Sequence, residues 1–334
     1  MSKRILVTGG AGYVGAHCCK AFAAEGWEVS VFDNLARGNA DFVRWGPLIK
    51  GDVRDREALA AALARVQPHA VAHMAALTSA QESRSDPGRF YDTNAMGTLN
   101  LLHAMRVAGV PCLVFSSSGA VYGDTAGSLI PEGGPLCPVN AYGWSIYQAE
   151  RMIADFCASH SLRSVVLRYF HVAGADPDDG LGDRRRPGRH LIARAISATD
   201  PASSYPVTIS GFDHATPDGT AIRDFIHVTD VASAHAAALA YLMGGGDSQV
   251  LNLGSGQGHS VREIIDAVDR AAGQQVRYAI APQPKSDPPI LVADPARARA
   301  ILSWRTRFSD LDQMIGDELL WREANARRAM RPRS

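Results

Sequence analysis

The tightest constraint on the fold lies near the N-terminus. Arg4-Ile-Leu-Val7 is a short apolar run, stopped by Thr8-Gly9-Gly-Ala-Gly12-Tyr-Val-Gly15. A helical pattern follows to Ala24 and closes at Gly26, and a second apolar run occupies Trp27 to Phe32. Strand, glycine turn, helix and strand form the opening unit of a dinucleotide-binding sheet. The glycines permit a tight turn, a close backbone approach to a pyrophosphate, and close packing of helix on strand, while the helix N-terminus favours the anion. Asp33 ends the second strand, at the distance where a carboxylate holds ribose hydroxyls. The same carboxylate repels a 2′-phosphate, so NAD is expected rather than NADP.

The alternation continues. Leu48 to Val53 reads as a third strand with an acidic end at Asp52, and Asp55 caps a helix from Arg56 to Val66 that Pro68 ends. Ala70 to Met74 is a fourth strand, in which His73 reads as a packed residue because no partner has metal-ligand spacing. One helix is expected from Phe90 to Ala108, carrying Asn94, and Pro111 to Phe115 is a fifth strand that delivers Ser116-Ser-Ser118 at its C-terminal end. With Ser164 to Phe170 as a further strand, the pattern is α/β: a Rossmann doubly wound parallel sheet. The texture changes after it. Asp176 to Gly188 is rich in Gly, Asp, Pro and Arg, and its Arg184-Arg-Arg186 run reads as a solvated surface. From Val207 short elements return without a repeat, and Leu311 to about Arg328 is a packed final helix. The expected division is a dinucleotide-binding domain over 1–171, rejoined by part of 218–245, and a smaller C-terminal α/β domain over 172–334.

One further stretch carries chemistry. Tyr142 opens a helix, with the Ser116–Ser118 cluster at the end of the preceding strand, and a tyrosine beside a serine is suited to moving a proton off a hydroxyl. Composition excludes several other classes. Lys+Arg and Asp+Glu are both 34, so no net charge favours nucleic acid or an anionic membrane. No apolar run approaches a membrane span, and the start of the chain leads straight into a strand rather than a signal peptide. The five cysteines have neither metal spacing nor a secreted disulfide pattern, which points to a reduced cytoplasm, and no metal is expected.

These motifs together resemble the extended short-chain dehydrogenase/reductase superfamily and, within it, the UDP-glucose 4-epimerase (UDP-galactose 4-epimerase) family. The similarity runs through Val7–Gly15, Phe32-Asp-Asn34, Gly51-Asp-Val53, Phe115–Ser118 with Val121-Tyr-Gly123, Arg168-Tyr-Phe170 with Ala173-Gly-Ala175, Thr216–Asp230, Leu251–Gly256 and Val292-Ala-Asp-Pro295. The resemblance implies NAD contacts at Gly9, Gly12, Tyr13, Val14, Gly15, Asp33, Asn34, Asp52, Val53, Ala75, Asn94, Ser116, Tyr142 and Tyr169. It implies a nucleotide-diphosphate sugar, most readily a UDP-sugar, held by Ser118, Tyr142, His171, Arg223 and Asp287, and a homodimer. The implied reaction is epimerisation at C4 through a transient 4-keto sugar, with Tyr142 as base and Ser118 orienting the hydroxyl.

The chain departs from that pattern at three places. The family motif is Tyr-x-x-x-Lys, and the fourth residue after Tyr142 is Ile146. At i and i+4 the two side chains share a helix face. A lysine there holds ribose hydroxyls and lowers the tyrosine pKa, which is about 10 without help, leaving roughly a thousandth as phenolate at pH 7. Isoleucine does neither. His171 replaces the family asparagine, and Gln283-Pro284 stands where an arginine pair is usual; Thr78 replaces a lysine found in some members. A 4,6-dehydratase is disfavoured because Ser116-Ser-Ser118 contains no carboxylate. Ile146 keeps open a non-catalytic or repurposed NAD-binding protein, or another enzyme acting through a 4-keto sugar nucleotide.

Overall fold

The structure, a computed structural model, describes residues 3–123, 129–184, 190–203, 206–282 and 288–329. Strands β1 (Lys3–Thr8), β2 (Trp27–Asp33), β3 (Leu48–Lys50), β4 (Ala70–His73), β5 (Cys112–Ser118) and β6 (Arg163–Tyr169) come first. They are followed by β7 (His171–Ala173), β8 (Val207–Ser210), β9 (Ile222–His227), β10 (Gln249–Leu253), β11 (Gly258–Ser260), β12 (Tyr278–Ala281) and β13 (Ile290–Leu291). The main sheet has seven parallel strands in the order β3-β2-β1-β4-β5-β6-β10. Its strands read as continuous apolar runs because both faces are buried. Ile5 and Val7, Ala70 and Ala72, and Val165 and Leu167 enter one core with the Tyr13–Ala24 and Val228–Met243 helices. Leu6, Val71 and Val166, alternating with them, enter the opposite core with the Arg56–Val66, Gly97–Ala108 and Ala141–Ser159 helices.

The chain returns to this sheet beyond the expected 218–245 segment. The Val228–Met243 helix packs on the first helix through Val231, Ala234, Ala238 and Leu242, and the seventh strand is Gln249–Leu253. The rest of the C-terminal half forms a smaller layer. There β9 pairs in parallel with β7 and β13 and antiparallel with β11, and a separate core gathers Ile192, Ile196, Phe225, Ile264, Val268 and Met314.

One expected element differs. The single helix over 90–108 is instead a short helix Pro87–Phe90, a π-helical turn Tyr91–Met96, and an α-helix Gly97–Ala108. Within that turn Asn94 bonds the backbone of Leu77 in both directions, at 2.8 and 3.0 Å, and donates to Ser145 Oγ at 2.9 Å. Side-chain bonds of this kind compensate for the widened turn. Apolar spacing carries no sign of them.

His73 is a hydrogen-bonded strand residue. Nδ1 meets Thr8 Oγ1 at 2.6 Å and Nε2 meets Thr98 Oγ1 at 3.0 Å, while Thr98 donates to Asn94 O at 2.6 Å. Burial pulls its pKa down from 6.5 to about 4, and His17 and His235 are lowered to about 4 as well. Well above pH 6.5 both folded and unfolded chains hold these imidazoles neutral. Below it the unfolded chain takes up protons that the folded chain refuses, so stability falls until about pH 4. For His73 alone the loss approaches about 2 kcal/mol at pH 5. Melting temperature is therefore expected to be nearly flat between about pH 7.5 and 8 and to fall steadily from about pH 7 to 4.5. A transition that stays constant down to pH 5 in calorimetry contradicts this.

Candidate active site

A cleft of about 820 Å³ opens along the C-terminal edge of the main sheet. Gly9, Gly12, Tyr13, Val14, Gly15, Asp33, Asn34, Val53, Ala75, Ser118, Tyr142, Tyr169, His171 and Arg223 all line it. Asp52, Asn94 and Ser116 do not line it but are hydrogen-bonded to residues that do, Asn34, Leu77 and Tyr169. Asp287, Gln283, Pro284 and Lys285 lie outside the described residues, as do Arg185 and Arg186. Arg184 is paired with Asp41 at 2.8 Å and lies over the Phe42 ring.

The glycine end fits a dinucleotide. A Cβ on Gly15 would sit 2.1 Å from Gly9 O, and one on Gly9 would sit 2.6 Å from Ala75 N, so only glycine brings turn, helix and β4 this close. The helix that follows begins at Gly12 with no side-chain cap, leaving its first N–H groups for a ligand anion. Asp33 is fixed by N–H groups of Ala11 at 3.0 Å and Leu35 at 2.8 Å. Its burial raises the carboxyl pKa, and those two bonds act against the rise. Arg37 lines the same end and is ion-paired with Glu82. Native protein is expected to bind NAD far more tightly than NADP, and Asp33→Ser to lose about tenfold in NAD affinity while narrowing the gap, read by calorimetric titration. Equal affinity of the native protein for both nucleotides overturns the assignment.

Asn34 donates to Asp52 at 2.8 Å, and Asp52 also accepts from the Arg54 guanidinium at 2.9 and 2.8 Å, which holds its carboxyl well below the usual range. Tyr169 is hydrogen-bonded to Ser116, whose Oγ lies 2.9 Å from His235 Nε2. His235 Nδ1 lies 2.8 Å from Val231 O, and because a carbonyl only accepts, Nδ1 carries the proton. Nε2 of the neutral ring therefore accepts from Ser116, which in turn accepts from Tyr169. Spacing gave no reason to expect His235 there.

At the centre, Asn140 caps the Ala141–Ser159 helix through Gly143 N at 2.9 Å, placing Tyr142 in its first turn. The Tyr142 hydroxyl is hydrogen-bonded to Ser118, at the end of β5. Burial pushes the Tyr142 pKa above 10 and the Ser118 bond works against it. Ile146 is buried in the apolar core and does not line the cleft. Among the described lysines, Lys20 is bound to Asp176 and Asp179, and neither it nor Lys3 or Lys50 lines the cleft. One turn beyond Ile146, Glu150 accepts from Ser117 Oγ and, at 2.9 and 2.6 Å, from Arg168. Arg168 also donates to Tyr122 OH at 2.9 Å, and Tyr122 donates to Asn252 at 2.7 Å. The sequence signal for this network was a helix face: 142, 146 and 150 share one.

A nucleotide-binding α/β fold with a hydroxyl pair midway along its cleft defines a class, and comparisons with known proteins narrow it. The model of the NAD dependent epimerase/dehydratase family matches residues 5–254. UDP-glucose 4-epimerase of Rhizobium meliloti is 42% identical over 307 residues, covering 92% of this chain and 93% of that protein. The crystal structure of UDP-glucose 4-epimerase from Brucella ovis in complex with NAD superimposes with a TM-score of 0.91 at 41% identity, over 95% of this chain and 97% of that one. UDP-glucose-4-epimerase from Stenotrophomonas maltophila, with bound NAD and formylated UDP-arabinopyranose, gives 0.93 at 36% identity, over 98% and 99%. The chain belongs to the NAD dependent epimerase/dehydratase family.

Proposed function

We propose that this protein is an NAD-dependent isomerase that inverts C4 of a nucleotide-diphosphate sugar of the UDP-glucose/UDP-galactose type. The observation that carries the reading is the Tyr142–Ser118 hydroxyl pair, set in the same cleft as the glycine turn and Asp33. Full-length similarity to enzymes of this activity favours it over a non-catalytic NAD-binding protein. The cofactor is held by the Gly9–Gly15 turn, the carboxylate of Asp33 and the wall formed by Asn34, Val53, Ala75 and Tyr169. NAD, when bound, supplies the chemistry of taking hydride from C4 and returning it to the opposite face.

Tyr142 takes the proton of the sugar 4-hydroxyl and Ser118 holds the reacting oxygen. The 4-keto sugar turns within the cleft, and Tyr142 returns the proton. The first-turn position of Tyr142 places it at the positive end of a helix, which favours the phenolate, and no lysine assists it from position 146. Arg223, His171 and Asp287 hold the nucleotide diphosphate and ribose. Residues 1–171, with the returning 228–253 segment, form the cofactor layer, and the remainder of 172–334 forms the sugar-nucleotide layer.

Two further features accompany the reading. Met96, Val107 and Trp144 are exposed apolar side chains, surface that a homodimer of this protein can cover. All five cysteines are free, which supports a reducing, cytoplasmic location, and no helix among the described residues is long and apolar enough to cross a membrane. The test is incubation of the NAD-loaded protein with a panel of UDP-, GDP- and dTDP-sugars, followed by NMR. The expected result is interconversion of UDP-glucose and UDP-galactose; no change in any sugar at C4 overturns the reading.

A further inference from the structure

The cleft changes character from one side to the other. The glycine turn contributes backbone N–H groups, and across from it the wall carries the imidazoles of His171 and His190 and the guanidinium of Arg223. His171 on β7 faces Phe225 on β9, with ring centroids 5.4 Å apart, and Arg223 lies two residues earlier on the same face of β9. His190 stands at the N-terminal end of the Leu191–Thr199 helix, where no side chain caps the first turn. Its ring stacks on Tyr13 at 5.7 Å, and its Nε2 is 3.3 Å from the Asp183 carboxylate. Nδ1 of His171 and both ring nitrogens of His190 are shut off from solvent, and none of the three has a hydrogen-bond partner among the described residues. Buried polar atoms are normally paired. Three orphaned imidazole nitrogens on two rings that line one cleft mark a site that a ligand completes.

The groups around His171 set its charge. Arg223 faces it from β9 and His190 from the helix end, while Asp183 is engaged with His190 and Arg184 with Asp41. Asp224, next along β9, turns to the opposite side, where Ser255, Gly256 and Ala293 donate to it. On the first helix, His17 is bonded to Tyr13 O at 2.8 Å. Burial, then Arg223, then His190 hold the His171 imidazole neutral, with its pKa pulled down to about 3. A neutral ring has one N–H to donate, whereas an imidazolium has two.

We propose that His171 binds the diphosphate of the substrate and that its positive charge arrives with the ligand: a diphosphate seated between His171, His190 and Arg223 draws one proton from solvent onto the His171 ring. The inference rests on the nucleotide-sugar reading above and specifies the charge state of that site. The dianion's attraction for the protonated ring opposes the charges of Arg223 and His190 and has to exceed the cost of burial. No bond in the ligand is broken, and the proton returns to solvent on release. Affinity for the sugar nucleotide therefore falls as pH rises.

Calorimetry of the NAD-loaded Tyr142→Phe protein with UDP-glucose tests this without turnover, because the diphosphate diester of that ligand does not titrate near neutrality. Titrations are run from pH 6 to 8 in two buffers of different ionisation enthalpy. The expected result is binding about tenfold tighter at pH 6 than at pH 8, with uptake of about one proton per site at pH 6. Both effects are lost in the His171→Asn background. NMR of the His171 ring in the Tyr142→Phe protein, free and ligand-saturated, reads the same proton without relying on that variant. Binding that is independent of pH and buffer overturns the inference, as does a pH dependence that survives His171→Asn. Failure of UDP-glucose to bind at any pH overturns the sugar-nucleotide reading itself.

Discussion

Replacing Ile146 by lysine is expected to raise turnover of UDP-glucose at pH 7 by about a hundredfold and to move the alkaline rise of the rate profile down by about two pH units. A cation placed about 5 Å from a phenolate is worth about 3 kcal/mol at the effective dielectric of a partly buried site. That free energy corresponds to the hundredfold change. The native chain lacks this assistance. Burial drives the Tyr142 pKa upward, and only Ser118 and the helix end oppose the rise. Ile146 lies one turn from Tyr142 and beneath the cleft wall, so a lysine stem can pack where isoleucine packs while its ammonium reaches upward. The acidic neighbour below, Glu150, is already committed to Arg168 and Ser117 and does not capture the new charge. Tyr142→Phe in either background is expected to abolish epimerisation while leaving NAD bound, measured by cofactor absorbance and by NMR of the sugar. If Ile146→Lys leaves turnover unchanged, or removes a native activity, position 146 serves a different chemistry.

Glu150→Gln is expected to remove about 3–5 kcal/mol of stability, because it leaves the Arg168 guanidinium buried without its counter-ion. Both side chains are almost completely enclosed, at 4% and 5% exposure, so solvent cannot substitute. For a chain of this size the loss corresponds to a melting temperature lower by roughly 4–7 °C. Replacing both partners with methionine is expected to recover much of it, since two apolar side chains of similar volume strand no charge. Recovery will be incomplete, because Tyr122 and Ser117 lose partners in the double variant. A single variant that melts within 1 °C of the native protein, a margin of about 0.7 kcal/mol, removes the network as a source of stability.

Much of this was legible in the chain because a few residues have no alternative use. Gly9 and Gly15 are readable as a cofactor turn since backbone proximity there excludes any Cβ, and the apolar strands are readable because parallel strands are buried on both faces. The return of Gln249–Leu253 to the main sheet was less legible, as a short apolar strand does not announce which sheet it joins. The π-helical turn at Tyr91–Met96 was hidden for a different reason. It is held by Asn94 side-chain bonds to residues distant in sequence, and helical periodicity is blind to those. His190 and His235 were likewise invisible, because a histidine gains a role only from the ring, carbonyl or carboxylate placed beside it.

The late seventh strand has a consequence for how the molecule is made. β6 ends at Tyr169 and its outer neighbour begins at Gln249, so 80 residues must be added before that edge is paired. At ~5–20 residues per second this takes roughly 4–16 s of translation. During that interval the nascent chain presents an open β-strand, and the face awaiting the Val228–Met243 helix leaves Val165 and Leu167 uncovered. A ribosome stalled in this stretch holds that edge unpaired and that face uncovered, the surfaces by which incomplete chains pair with one another.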